Sequence, residues 1–396
     1  MFRFRLFTSS FVLATVLVTA IGLAQTSHKG PAPTLGDVAL AAGDFNGAAA
    51  AYSAALASRP ADPAAELGLG TIEMYRNHLD AARTHLRLAL ALAPNLQRAR
   101  ALLGAIGRRT GSPGDYRIAF TKALARVPLV AMDPLPTLRA KINGRPVTLW
   151  IDTGADGIDL GEAAVTRLHL ATKIAGEGVF AGGQKAQIRT ARVERIDLPG
   201  VTVRGITANT VPAGALPQGV DGLIGTAFFY HFLATIDYPH HALILRPTAS
   251  SAAFLESARR SDATTTPMWL VGDHFIFTRA RVNTAPEALF NVDTGGVGVG
   301  VQLTKAALDA ARITPDAAHA QQGQGGAGTV RLLPFNAASV TLGGFTLHDV
   351  PGVYSPDGDP YGIFPFVVGG SLSQEFFRHT AVTFDFTSMT MLVSSP

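Results

Sequence analysis

Apolar positions follow two rhythms along this chain. From Thr34 to Pro128 they recur at helical spacing in an Ala-, Leu- and Arg-rich background. From Met132 onward they alternate with polar residues or form short runs closed by turn residues, which predicts strands. The helical part repeats every 34 residues: Pro60, Pro94 and Pro128 share one register, Gly43, Asn77 and Gly111 a second, Tyr52, Leu86 and Phe120 a third, and Ala55, Ala89 and Ala123 a fourth. The pattern predicts a truncated first helix at Thr34–Ala42 and two full helix pairs, each pair ended by proline. A last helix, about 114–126, is expected to dock on the strands that follow, since so short an array is marginal alone.

The strand-rich part contains one frame twice. Leu-Arg-Ala-Lys-Ile (138–142), an Asn143-Gly144 hairpin signal and Leu149-Trp-Ile151 lead into Asp152-Thr153-Gly154. Phe275–Val282, a turn through Asn283, and Leu289–Val292 lead into Asp293-Thr294-Gly295. Each copy continues to an apolar-apolar-Gly segment, a short aromatic helix and a closing hairpin: residues 220–245 in the first copy, 366–393 in the second. By this alignment Asp152 stands 72 residues before Ile224, and Asp293 stands 75 before Val368. Shorter hairpins are expected at 193–204 and 338–347. The Ser/Ala/Thr-rich residues 248–266 read as an interlobe linker with room for one helical turn. Two copies of one lobe imply a pseudo-twofold axis, with one carboxylate delivered from each side.

Composition narrows the function. The 396 residues are 47% hydrophobic and 16% charged, which suits packed domains. Cysteine is absent, so thiol catalysis and thiolate metal sites are excluded. The N-terminal Met1–Ala24 carries Arg3 and Arg5, an apolar core and Gly-Leu-Ala before Gln25. That layout is expected of an export signal cleaved after Ala24, with periplasmic or secreted localisation and a retained membrane anchor as the alternative. The formal charge of +4 less these two arginines leaves +2, and no long Lys/Arg run points to nucleic acid. The expected order is signal 1–24, linker 25–33, helical repeats 34–128, first lobe 132–247, linker 248–266 and second lobe 267–396.

From Met132 to Pro396 the chain resembles the retropepsin-like and pepsin-like aspartic proteases, on its two Asp-Thr-Gly-Ala/Gly motifs in matching frames. The residues 34–128 resemble tetratricopeptide repeats. The resemblances imply a helical-repeat module followed by a mostly-β bilobal protease, acting as a monomer on a peptide or protein without cofactor or metal. Asp152 and Asp293 would then be the catalytic pair, sharing one proton because two adjacent carboxyls cannot both ionise cheaply. Thr153 and Thr294 would cross-brace the loops, with Gly154 and Gly295 bringing N–H groups to the carboxylates. Gly-rich stretches containing Phe180, Gly182 and Gly183, and Gly325 and Gly326, fall where the family carries a flap, although no flap tyrosine is recognisable in the first lobe. Ala155 and Gly296 stand where pepsins commonly carry Ser or Thr, so the pair is expected to titrate higher than pepsin's.

Other signals are weaker. Gly323–Gly328 fits G-x-G-x-x-G without the strand-loop-helix context of a dinucleotide site. His240-His241 falls in a hairpin turn, and Asp156, Asp221 and Asp357 precede glycines as turn residues do. Two alternatives to a peptidase whose repeats recruit substrate or a partner are a binding protein with an idle protease-like cleft and a zymogen-like chain whose repeats cover it.

Overall fold

A computed structural model describes residues 11–12, 18–19, 32–110, 116–179, 185–211, 216–325 and 328–394. Apart from two two-residue strands at Phe11–Val12 and Val18–Thr19, the expected signal segment lies outside the described residues, as does most of the linker after it.

Five helices come first: α1 Leu35–Ala41, α2 Phe45–Ser58, α3 Pro63–Tyr75, α4 Leu79–Leu92 and α5 Gln97–Thr110. Side chains fix their starts. Thr34 and Asp37 cap α1 reciprocally, Asp44 accepts from the Gly47 N–H, and Asp62 accepts from Ala64 and Ala65 behind Pro63. Glycines let the helices touch. A Cβ on Gly36 or Gly68 would come within 2.4 Å of the Tyr52 ring, so Tyr52 fills the space between α1 and α3. Its hydroxyl donates to Asp37 Oδ1 at 2.7 Å. Gly43 and Asn77, one register of the repeat, both take the left-handed backbone that turns one helix into the next.

The helix expected at about 114–126 is not formed. Residues 111–115 lie outside the described set, and Arg117–Phe120 is a strand antiparallel to Val201–Arg204. Ala125–Ala131 is another strand, with Ala125, Val127 and Leu129 buried. The alternation Ala-Arg-Val-Pro-Leu overrides the 34-residue register of Pro128, and the last repeat helix among the described residues is α5, Gln97–Thr110.

The two lobes meet on a six-stranded antiparallel sheet. Its order is Ala125–Pro128, Ala242–Arg246, Leu233–Asp237, Ala381–Asp385, Thr390–Ser394 and Thr264–Pro267, so each lobe gives three strands. The expected linker 248–266 is therefore mostly ordered: Ser251–Ala258 is a helix, and the strand Thr264–Val271 begins inside it. Above this sheet each lobe carries its catalytic hairpin, Thr137–Ile142 with Arg145–Ile151 and Phe275–Val282 with Ala288–Val292. Asn143, Gly144 and Asn283 take the positive φ those turns require.

The repeats dock on the second lobe. Phe45 meets the rings of Tyr75, Trp269 and Phe366 edge-on at 5.4, 5.3 and 5.2 Å, and α1–α3 share one apolar core with Val271, Phe275, Phe277 and Leu289. Polar bonds fix the register: Val367 N–H to Ala41 O at 2.9 Å, Arg279 to Gly43 O at 2.8 Å, and Asn77 to Phe386 O at 3.0 Å. The docking expected of residues 114–126 is thus performed by α1–α3 and, as described below, by α5.

Candidate active site

Each Asp-Thr-Gly loop leaves the end of a buried strand. Arg145–Ile151 pairs in parallel with Gly222–Ile224, and Ala288–Val292 pairs in parallel with Gly370–Leu372. The Asp152 N–H donates to Ile224 O at 3.1 Å, and the Asp293 N–H to Leu372 O at 2.9 Å. These bonds correct the alignment drawn from sequence: the partner of Ile224-Gly225 is Leu372-Ser373, not Val368-Gly369. Val368 instead joins the core under the helical repeats.

The loops are braced to each other. Thr153 N–H donates to Thr294 Oγ1 and Thr294 N–H to Thr153 Oγ1, both at 3.0 Å, while the Thr153 hydroxyl donates to Val292 O at 2.7 Å. The Gly154 N–H reaches Asp152 Oδ1 at 2.8 Å, and the Gly295 N–H reaches Asp293 Oδ1 at 3.0 Å. Gly154 is also where the second carboxylate needs room, because a Cβ there would lie 2.5 Å from Asp293 Oδ1. The structure thus brings Asp152, Thr153 and Gly154 together with Asp293, Thr294 and Gly295.

Both carboxyls are buried, Asp152 completely and Asp293 to 8% exposure. Asp152 Oδ2 has no partner other than the facing Asp293 carboxyl, so a proton held between them satisfies both groups. Burial first, then the Asp293 charge, raises Asp152 well above the ordinary carboxylate range. Burial also pushes Asp293 up to about 6, against the lowering pull of the Gly295 N–H and of Asp152 itself. The pair therefore titrates as one unit that keeps a single proton near neutrality.

The expected flap residues contribute less. Phe180, Gly182, Gly183 and Gly326 lie outside the described residues, between arms that do form hairpins: Thr172–Val179 with Lys185–Leu198, and Gln321–Gly325 with Gly328–Leu342. Gly325 pairs with Gly328 at the second tip. The described residues of the G-x-G-x-x-G string, Gly323–Gly325 and Gly328, therefore lie on antiparallel strands, and strand rather than helix follows them. Among the described residues, no three His, Asp or Glu side chains converge as a metal site needs.

A second polar group beside the pair escaped the reading of the sequence. Asp159 is fully buried with neither oxygen in a normal hydrogen bond, and burial together with the Asp156 charge pushes it up to about 7. Asp156 Oδ2 accepts from Asn209 at 3.1 Å, and its Oδ1 lies 3.7 Å from Nδ1 of the buried His274 in the other lobe. The signal for Asp159 was a charge between Ile158 and Leu160, which in a strand ordinarily marks a solvent face.

Residues 138–228 and 278–366 match the family model described as aspartyl protease, and residues 39–106 match one described as tetratricopeptide repeat. The chain is similar to an aspartic proteinase from Irpex lacteus at 12% identity and TM-score 0.43, over 69% of this chain and 97% of that one. It is also similar to a retropepsin-like aspartic protease from Rickettsia conorii at 16% identity and TM-score 0.25, over 33% of this chain and 93% of that one. No match was found among curated proteins. The two lobes joined at braced Asp-Thr-Gly loops are thus both matched by the aspartyl protease model, behind helices matched by the tetratricopeptide-repeat model.

Proposed function

We propose that the protein is an exported, single-chain aspartic endopeptidase whose helical repeats recruit a protein substrate or partner. The observation that carries the peptidase reading is the cross-braced Thr153–Thr294 pair, which sets Asp152 and Asp293 face to face around one proton. The pair holds that proton as a unit. The ionised carboxyl takes a proton from a water lying between the two as its oxygen attacks a peptide carbonyl. The protonated carboxyl gives its proton to the carbonyl oxygen, and the tetrahedral intermediate collapses as the proton taken from water passes to the leaving nitrogen and the first carboxyl recovers its own from the gem-diol. No covalent adduct with the enzyme forms. The rigid strand ends under both loops supply the positional accuracy this needs.

Export rests on the arginine-then-apolar composition of the first 24 residues, and recruitment on the repeat match at 39–106. The test is cleavage of a mixed peptide library between pH 3 and 8 by the wild-type protein, D152N and D293N. Internal cleavage by wild type alone supports the endopeptidase reading. No cleavage by any of the three, with partner capture unchanged in the variants, replaces it with that of a binding protein.

A further inference from the structure

The apolar core under α1–α3 docks the repeats, and α5 adds a buried cation to the same junction. Arg109 donates to Met74 O at 3.0 Å on α3 and to Leu270 O at 3.1 Å, and it bonds Gly272 O as well. Burial lowers its guanidinium to about 10, a cost that an apolar side chain of similar volume would avoid. What the planar fork supplies is direction: it ties a carbonyl of the α3 end to those of the 270–272 turn. The neighbouring Arg108 Nε pairs with Asp273 Oδ2 at 2.9 Å, so α5 grips the turn at two successive residues.

The next residue of that turn is His274, 2% exposed, with neither ring nitrogen hydrogen-bonded. Its ring lies 4.0 Å from that of Phe275, and its Nδ1 faces Asp156 across the lobe boundary. Asp156 stands four residues after Asp152, in a loop laced by its backbone to the strand-helix turn beside it. Thr226 N–H donates to Ala155 O at 3.1 Å, Ala227 N–H to Asp156 O at 2.5 Å, and Gly225 N–H to Gly157 O at 2.6 Å. A continuous set of contacts therefore runs from α5 through the turn to the loop that carries one catalytic carboxyl.

We propose that the helical repeats hold the Asp156 loop in place against the catalytic pair through Arg109 and His274, which are positioning residues for the reaction. This rests on the peptidase reading of the same pair. The ionisable and charged groups facing His274 are Asp156 from the first lobe, Asp273 from its own turn and, through Asp273, Arg108 from α5. Asp159 lies behind Asp156 and bears on Asp152. Releasing the turn admits water to this group, screens Asp159 from Asp152 and relaxes the burial that keeps the pair protonated.

The test uses the full chain as wild type, R109K, whose single ammonium cannot span three carbonyls, and H274F, which keeps a ring against Phe275. The expected result in both variants is a kcat lower by about tenfold with KM changed less than about twofold, because the loop rather than the cleft is displaced. The alkaline limb of kcat/KM moves down by about half a pH unit or more. Carboxyl-carbon NMR titration of aspartate-labelled protein gives the same downward shift of the pair's upper pKa without any substrate. A shift in the titration with no cleavage by wild type would remove the peptidase reading and keep the coupling. Wild-type cleavage with unmoved profiles and titrations in both variants, only melting temperature being lost, would overturn the coupling.

Discussion

The two lobes share a frame and differ in what they hang on it. In the first, Trp150, Leu223 and Asp159 stand opposite one another on adjacent strands, on the face that Asp152 shares by strand parity. In the second, the equivalent row beside Asp293 is Asn291, Ser371 and Gln302. The alternate row is apolar in both, Ile151, Ile158 and Ile224 against Val292, Val301 and Leu372, and it fills the core. The core row and the Asp-Thr-Gly loop are therefore what the frame demands, while the row beside the carboxyl is free to vary. Its variation gives the two carboxyls different strand neighbours: Trp150, Leu223 and the buried acid Asp159 for Asp152, and Asn291, Ser371 and Gln302 for Asp293.

The largest expected effect removes the pairing itself. D152N or D293N lowers kcat by about 10³-fold or more, in keeping with the loss of a general acid or base, and leaves the fold intact by circular dichroism. Next comes the brace, which is likewise unequal between the lobes. Val in place of Thr153 loses a donor to Val292 O and an acceptor for Thr294 N–H, at about 1–3 kcal/mol in denaturant unfolding. A fall of comparable size in T294V would make the loops equivalent; a smaller one keeps them distinct.

Asp159 gives a pH-dependent contrast between the rows. Its folded pKa is raised above the ordinary aspartate value, so its contribution favours the fold at low pH and is lost as pH rises through about 7. D159N, which matches the amide of Gln302 in the other lobe, should thus gain stability over wild type on the order of a few kcal/mol at pH 8 and almost none below pH 4. Melting temperatures at the two pH values check this. The smallest effect concerns the residues after the motif. Ala155 lies against Gly225, while Gly296 lies against Ser373, whose Oγ a Cβ on Gly296 would meet at 2.6 Å. G296A should cost about 1–3 kcal/mol, and G296A with S373G should recover most of it by copying the first lobe. The reverse copy, A155G with G225S, should not recover, because a Cβ on Gly225 meets the Ala155 backbone oxygen at 2.3 Å.

Much of this was legible in the residues. The Asn-Gly turn, both apolar approaches to Asp-Thr-Gly and the closing hairpins are local signals, and the structure forms each of them. Tyr52 and Leu86, one register of the 34-residue repeat, are the large residues that pack against glycines of the neighbouring helices, Gly36 and Gly70. What failed depended on partners distant in sequence. Val368-Gly369 imitates the motif because both are small and apolar, and only the bond from Asp293 to Leu372 selects Ser371-Leu372-Ser373. Pro128 keeps the repeat register by coincidence inside a strand whose neighbours are Ala242 and Leu243. Arg108-Arg109 close α5 as cations commonly close a helix, and nothing local to them points to the turn at 270–273.

The most direct measurement of the central claim is the pH profile of kcat/KM on a cleaved peptide, wild type beside D159N. A paired, buried dyad gives a bell whose acid limb lies near 6, with the optimum close to neutral and the alkaline limb lower in D159N. An optimum below about pH 4 would mean that burial does not raise the pair as described, and a single limb indifferent to Asp159 would mean that Asp152 and Asp293 do not titrate as one unit.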